Sequence, residues 1–129
     1  AAIASEAAAE LYGVPIRQAR IEDRHGNTTR FLVLGYRSPA PSGRDKTSLV
    51  VSSANRTGLL FQLLEPLAAN GIDMTRIESR PSPQAGIWEY VFFIDVLGHH
   101  RDPVLAEALE QVRERASLFR ILGSYPRAI

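Results

Sequence analysis

Residues 47–67 read TSLVVSSANRTGLLFQLLEPL, and a change of period inside that stretch decides the fold. Residues 47–53 are short, rich in β-branched side chains and followed by a polar turn, which predicts a strand. Leu59, Leu60, Leu63, Leu64 and Leu67 then recur at spacings of three and four, the broad apolar face of a helix that stops near Asn70 and Gly71. Pro66 lies inside that helix. It has no N–H for the Gln62 carbonyl, a loss of up to about 3 kcal/mol unless the helix bends there.

Working downstream, residues 73–80 predict a second strand and residues 81–86 a turn of proline and serine. Trp88, Tyr90, Phe92, Ile94 and Val96 alternate with Glu89, Val91, Phe93 and Asp95, the period of a strand with one buried face. Asp102 before Pro103 is a helix start, and Val104, Leu105, Ala108, Leu109 and Val112 form the stripe that follows. Residues 117–125 supply a closing strand. The order βαββαβ is the ferredoxin-like arrangement of the α+β class: an antiparallel sheet with both helices on one face.

Upstream, two prolines, two glycines and two serines within residues 35–45 mark a linker. Residues 1–12 predict a helix, with Ile3, Ala7 and Leu11 at spacing four and Gly13 as its stop. Residues 14–21 are ambiguous, residues 22–28 form a polar turn, and residues 29–34 (TRFLVL) predict a strand. The chain is therefore divided into residues 1–35, a linker at 36–45 and a domain at 46–129. It opens at Ala1 without methionine and already in helix, so the expectation is a piece of a longer protein.

Composition narrows the function classes. Of 129 residues, 45% are hydrophobic and 22% charged, as in folded globular chains. Fifteen basic against fourteen acidic side chains leave no electrostatic footprint for nucleic acid or an anionic membrane. No apolar run reaches the roughly 20 residues of a bilayer span. The absence of cysteine excludes disulfides, thiolate metal sites and cysteine catalysis within these residues. His99 and His100 are neighbours in what reads as a solvated turn, and adjacent side chains rarely converge on one metal ion. No metal or cofactor is expected. The aromatic stripe from Tyr90 to Phe92 lacks the basic residues of an RNA-binding sheet and is assigned to the core.

Ile77-Glu78-Ser79-Arg80-Pro81 resembles a motif of the ACT regulatory domain of prephenate dehydratases. Thr57-Gly58-Leu59-Leu60 is similar to the glycine-containing helix start of that domain, Trp88-Glu89 with Phe92-Phe93-Ile94-Asp95 to its third strand, and Leu122-Gly123-Ser124-Tyr125-Pro126 to its last. Asn27-Thr28-Thr29-Arg30-Phe31 resembles a segment near the end of the catalytic domain. Thr57, Leu59 and Asp73 depart from the commonest residues at their positions.

The resemblance implies a cytoplasmic enzyme that converts prephenate to phenylpyruvate, carbon dioxide and water, inhibited by L-phenylalanine bound where two ACT domains pair as a homodimer. It casts Thr29 as a hydrogen-bond donor to the departing hydroxyl and Arg30 as a positioner of substrate carboxylate. The effector would lie between Ser53, Ala54, Asn55, Thr57, Gly58, Leu59 and Leu60 of one copy and Asp73, Met74, Glu78, Ser79 and Arg80 of the other. From the residues alone, the turn at 53–58 reads first as an ordinary helix start capped by Asn55 or Thr57. Its functional sense is that free N–H groups and the dipole at a helix N-terminus receive a carboxylate. Glu78 would face the ligand's ammonium group. Two other classes remain: a non-enzymatic amino-acid-binding and dimerisation module, and a pairing domain that binds nothing. Whether a chorismate mutase domain precedes the chain is left open.

Overall fold

The computed structural model describes residues 2–23, 26, 29, 31–54, 56–81 and 90–127. The chain forms two compact units, residues 1–34 and 35–129. The first contains α1 (Glu6–Tyr12), which is shorter than the predicted helix. Ser5 takes the N-cap position with extended backbone, and its side chain accepts the Ala8 N–H, so the helix begins after it rather than at residue 1. Gly13 ends it at φ 62°, the left-handed conformation that glycine tolerates.

The strand expected at residues 29–34 is not formed: residues 29 and 31–34 run irregular. Phe31 and Val33 are 84% and 99% exposed. β-branched composition marks propensity, but a strand exists only when its backbone groups pair, and among the described residues the four strands given below pair with one another.

The second unit holds β1 (Asp45–Ser52), α2 (Leu59–Ala69), β2 (Met74–Pro81), β3 (Tyr90–Leu97), α3 (Pro103–Arg115) and β4 (Leu118–Pro126). Asp45, assigned to the linker from composition, is the first residue of β1. Its carboxylate accepts from the Ser42 N–H and hydroxyl, each at 2.7 Å, and from the Gly43 N–H at 3.1 Å. These bonds, led by the Ser42 hydroxyl, hold the Asp45 carboxyl below its ordinary range.

The strand order is β2-β3-β1-β4, with each neighbouring pair antiparallel. Leu49, Val51, Phe92, Ile94 and Val96 form the sheet side of the core, and Leu59, Leu63, Leu67, Leu105, Leu109 and Val112 the helix side. Burying each such side chain contributes about 1.5–3 kcal/mol. Val104, placed in the α3 stripe from sequence, is 55% exposed. Leu105, Ala108, Leu109 and Val112 complete the i, i+3, i+4, i+7 face without it. α2 runs through Pro66, which is buried within it.

His99 and His100 do not form a solvated turn. His99 is wholly buried, with Nδ1 accepting the Arg101 N–H at 3.1 Å. A backbone N–H can only donate, so the ring proton sits on Nε2, 3.2 Å from the Pro39 carbonyl. The imidazole thus ties residue 39 to the turn after β3. Asp102 is the N-cap of α3 by position, but its carboxylate accepts the His99 N–H at 2.7 Å instead of capping the helix. Gly98 takes φ 105°, and a Cβ there would lie 3.2 Å from Leu105 Cδ2.

Beside it, Thr47 donates to the Gly98 carbonyl and contacts the Ser124 hydroxyl at 2.7 Å. Ser124 also receives the His100 N–H and lies 2.7 Å from His100 Nδ1. Each hydroxyl has one proton, so the chain runs from His100 Nδ1–H to Ser124, from Ser124 to Thr47, and on to Gly98. Burial first, and then the neighbouring His99 and Arg101, push the His100 pKa below its ordinary value.

Candidate functional site at one end of the sheet

The site is built by register. Ser52 pairs with Val91, and Val91 with Arg80. The turn after β1 and the end of β2 therefore share one end of the sheet, two strand spacings or about 10 Å apart. Met74 pairs with Val96, and Val96 with Thr47, so Asp73 and Met74 lie at the other end. Six residues of strand separate them from Arg80, about 20 Å. Within one copy the structure brings residues 53, 54 and 56–58 near Glu78, Ser79 and Arg80, and keeps Asp73 and Met74 apart from both.

Neither Asn55 nor Thr57 is the cap of α2: Asn55 lies outside the described residues, and Gly58 holds the N-cap position at φ 78°. A side-chain cap needs an extended backbone with a polar side chain, and Gly58 has neither. Among the described residues no side chain caps the helix, and no acidic residue stands in its first turn. The positive end of the helix dipole is thus left without a carboxylate of its own. Ser53 is buried; Ala54 and Thr57 are exposed. Leu59 belongs to the core, so its side chain is not available to a ligand, whereas Leu60 and Phe61 are 37% and 71% exposed. Phe61 was missed from sequence because it lies off the leucine face, which is also why it reaches solvent.

Glu78 is not a free acceptor. Arg76, Glu78 and Arg80 alternate along β2 and so project from the same face of the sheet, the one away from the helices. Arg80 Nε donates to Glu78 Oε1 at 2.7 Å, and Arg76 Nη2 pairs with Oε2. The Arg80 guanidinium, with Arg76 behind it, holds the Glu78 carboxyl below its ordinary range. The Arg-x-Glu-x-Arg spacing was the available sequence signal. A cavity of about 440 Å³ on this open face is lined by Arg76, Glu78, Arg80, Pro81, Val91 and Phe93; none of the described residues between 53 and 60 borders it.

In the first unit, Thr29 is exposed and irregular, and Arg30 lies outside the described residues. Among the described residues, no three metal-binding side chains cluster, and no helix is long and apolar enough to cross a membrane.

Comparison with known proteins adds three findings. Residues 47–114 match the ACT domain family and residues 1–39 the prephenate dehydratase family. The bifunctional chorismate mutase/prephenate dehydratase of Stutzerimonas stutzeri is 51% identical over 129 residues, all of this chain and 35% of that protein. The chain thus spans about a third of the length of the curated relatives it matches. Among solved structures, the prephenate dehydratase of Arthrobacter aurescens in complex with L-Phe aligns at TM-score 0.65 and 39% identity, covering 71% of this chain and 30% of that one. A protein described as a novel type of quorum-quenching acylase aligns at TM-score 0.67 and 33% identity, covering 74% of this chain and 48% of its own.

Proposed function

The chain belongs to the ACT domain family, carried behind the end of a prephenate dehydratase domain, and from that premise we propose that it is the L-phenylalanine sensor of such an enzyme. The observation that carries the proposal is the N-terminus of α2, where the Leu59 N–H is taken by the Arg56 carbonyl and the N–H groups after it have, among the described residues, no side-chain cap and no acidic neighbour in the first turn. A ligand carboxylate fits that end of the helix. Leu60 and Phe61 offer exposed apolar surface beside it for an aromatic side chain. L-Phe bound to the Arthrobacter relative is consistent with this ligand.

The sheet order leaves β2 as an edge strand, with Ile77 at its middle and 40% exposed. Two copies joined antiparallel along β2 form a homodimer. They bring the partner's Asp73 and the partner's Met74 to the end of the sheet that carries residues 53–58. Ligand at that seam inhibits by binding one arrangement of the catalytic domains better than the other. The parent enzyme, cytoplasmic in this proposal, turns prephenate into phenylpyruvate, carbon dioxide and water. Thr29 donates to the departing hydroxyl and Arg30 positions carboxylate. The division into residues 1–35, 36–45 and 46–129 belongs to the same proposal.

Calorimetry on the purified chain with L-phenylalanine, L-tyrosine and L-tryptophan tests it, alongside a turnover assay with prephenate. Heat with L-phenylalanine and no turnover is expected. Heat from none of the three overturns the sensor, and robust turnover overturns the statement that these residues sense without catalysing. Replacing Thr29 by alanine in a complete enzyme separates this proposal from a non-enzymatic module, since only the former predicts lost activity.

A further inference from the structure

The first unit ends at residue 34, and the chain enters the second through a stretch whose composition predicts a free linker. The structure fastens most of that stretch. The carbonyl of Pro39, an exposed residue, accepts from His99 Nε2–H at 3.2 Å. Three residues on, the Asp45 carboxylate holds the Ser42 N–H and hydroxyl and the Gly43 N–H. The Arg44 carbonyl accepts the Arg127 N–H, and the Asp45 carbonyl the Gly98 N–H, each at 2.9 Å. Residues 39–45 are therefore a strap, and only residues 35–38, exposed and outside any helix or strand, separate it from the first unit.

His99 is the buried fastener of this strap. Its N–H donates to the Asp102 carboxylate and its Nδ1 accepts from the Arg101 N–H, both bonds local to the turn after β3. They fix the ring and its tautomer, so that Nε2–H is aimed outward as a donor. That donor reaches across sixty residues to Pro39. Filling the core asks only for an apolar side chain of this size; a wholly buried imidazole adds one directed bond to the linker. Thr47 in β1 donates to the Gly98 carbonyl, so the strap, the turn after β3 and the start of β1 form one corner. From that corner β1 runs directly to the turn at 53–58.

We propose that His99 is a positioning residue for regulation. By clamping Pro39 it limits the slack between the regulatory domain and the catalytic domain to residues 35–38, so that a rearrangement on effector binding is passed along the chain. Without the clamp the free path lengthens to residues 35–41, up to the turn held by Asp45, and absorbs the movement. This rests on the sensor reading and adds to it the route by which binding becomes inhibition.

The test uses a complete enzyme carrying this chain, unaltered and as His99→Asn and His99→Gln. Calorimetry gives the affinity for L-phenylalanine, and turnover of prephenate is measured with and without saturating L-phenylalanine. Glutamine can bring its amide N–H to where Nε2 stands, whereas asparagine is too short to reach Pro39. His99→Asn is expected to bind L-phenylalanine and to keep its basal turnover, while an inhibition of about five-fold or more, the ordinary size of such coupling, falls toward none. His99→Gln restores it. Two glycines inserted after Tyr36 leave the buried imidazole untouched and are expected to abolish inhibition in the same way.

Inhibition that survives the insertion overturns the strap, as does full inhibition in His99→Asn. Inhibition and L-phenylalanine binding lost together in His99→Asn make the residue merely structural, and equal loss in His99→Gln and His99→Asn assigns it to packing; either overturns the proposal. An unaltered enzyme that binds no L-phenylalanine overturns the sensor reading before any substitution is made, and the regulatory role of the strap with it.

Discussion

Arg115, at the end of α3, donates through Nη1 to the main-chain carbonyl of Gln62 at 2.8 Å. That carbonyl is the one Pro66 leaves without a donor, because proline has no N–H to offer four residues on. The same guanidinium nitrogen reaches Glu65 Oε2 at 2.6 Å. A defect inside one helix is thus repaired by the last turn of the other, and the two helices are tied where α2 carries its proline.

The repair makes the two residues energetically dependent. Replacing Arg115 by alanine is expected to destabilise the chain by about 1 kcal/mol, the usual worth of a partly exposed hydrogen bond. In a Pro66→Ala background residue 66 regains an N–H and competes for the same carbonyl, so the cost of Arg115→Ala should shrink. Urea unfolding of the two single variants and the double variant measures this; equal costs in both backgrounds would show that Pro66 and Arg115 are independent.

His100, at the head of the hydroxyl chain that ends at Gly98, gives the stability a pH dependence. Burial lowers the folded pKa of His100 below its ordinary 6.5, so the unfolded chain binds the proton more readily. Its contribution to stability is complete above that ordinary value and is lost as pH falls below it. Asp45 and Glu78, whose pKa values are also lowered, lose their contributions only in the carboxylate range, below about pH 4. Between about pH 7 and 5.5 the urea midpoint of the unaltered chain should therefore fall more steeply than that of His100→Asn, whose amide preserves a donor toward Ser124. Parallel curves for the two proteins would remove His100 as the source.

Ile77 tests the pairing of copies. It occupies the middle of the edge strand β2 on the helix side, so an antiparallel pair places it near the symmetry axis. Ile77→Lys puts two like charges there and should convert a dimer to monomer in sedimentation experiments, with L-phenylalanine binding lost as the seam separates. A dimer that survives this substitution pairs through another surface.

Much of this was legible along the chain because it is local. Gly13 stops its helix at the predicted place, since the left-handed conformation depends on one residue's lack of a Cβ. Asp102 and Pro103 mark the start of α3 for a similarly short-range reason. The Arg76-Glu78-Arg80 row was readable in principle from period two alone. The burial of His99 was not, because its partner Pro39 lies sixty residues away and polar neighbours in sequence suggested solvent. The position of the α2 cap was missed, by one residue from Thr57 and three from Asn55, because the capping residue is chosen by backbone conformation and not by the nearest good side chain.

Local periodicity by itself determined the order of strands and helices and the apolar faces, and short motifs carried the family resemblance, since both depend on residues close together in the chain. Tertiary structure alone decided which end of the sheet each candidate residue occupies. Register across β1, β3 and β2 separates Asp73 and Met74 from the turn at 53–58 and aligns Arg80 with it. It also decided that Glu78 is engaged by Arg76 and Arg80, because an ion pair is a property of side chains brought together in space.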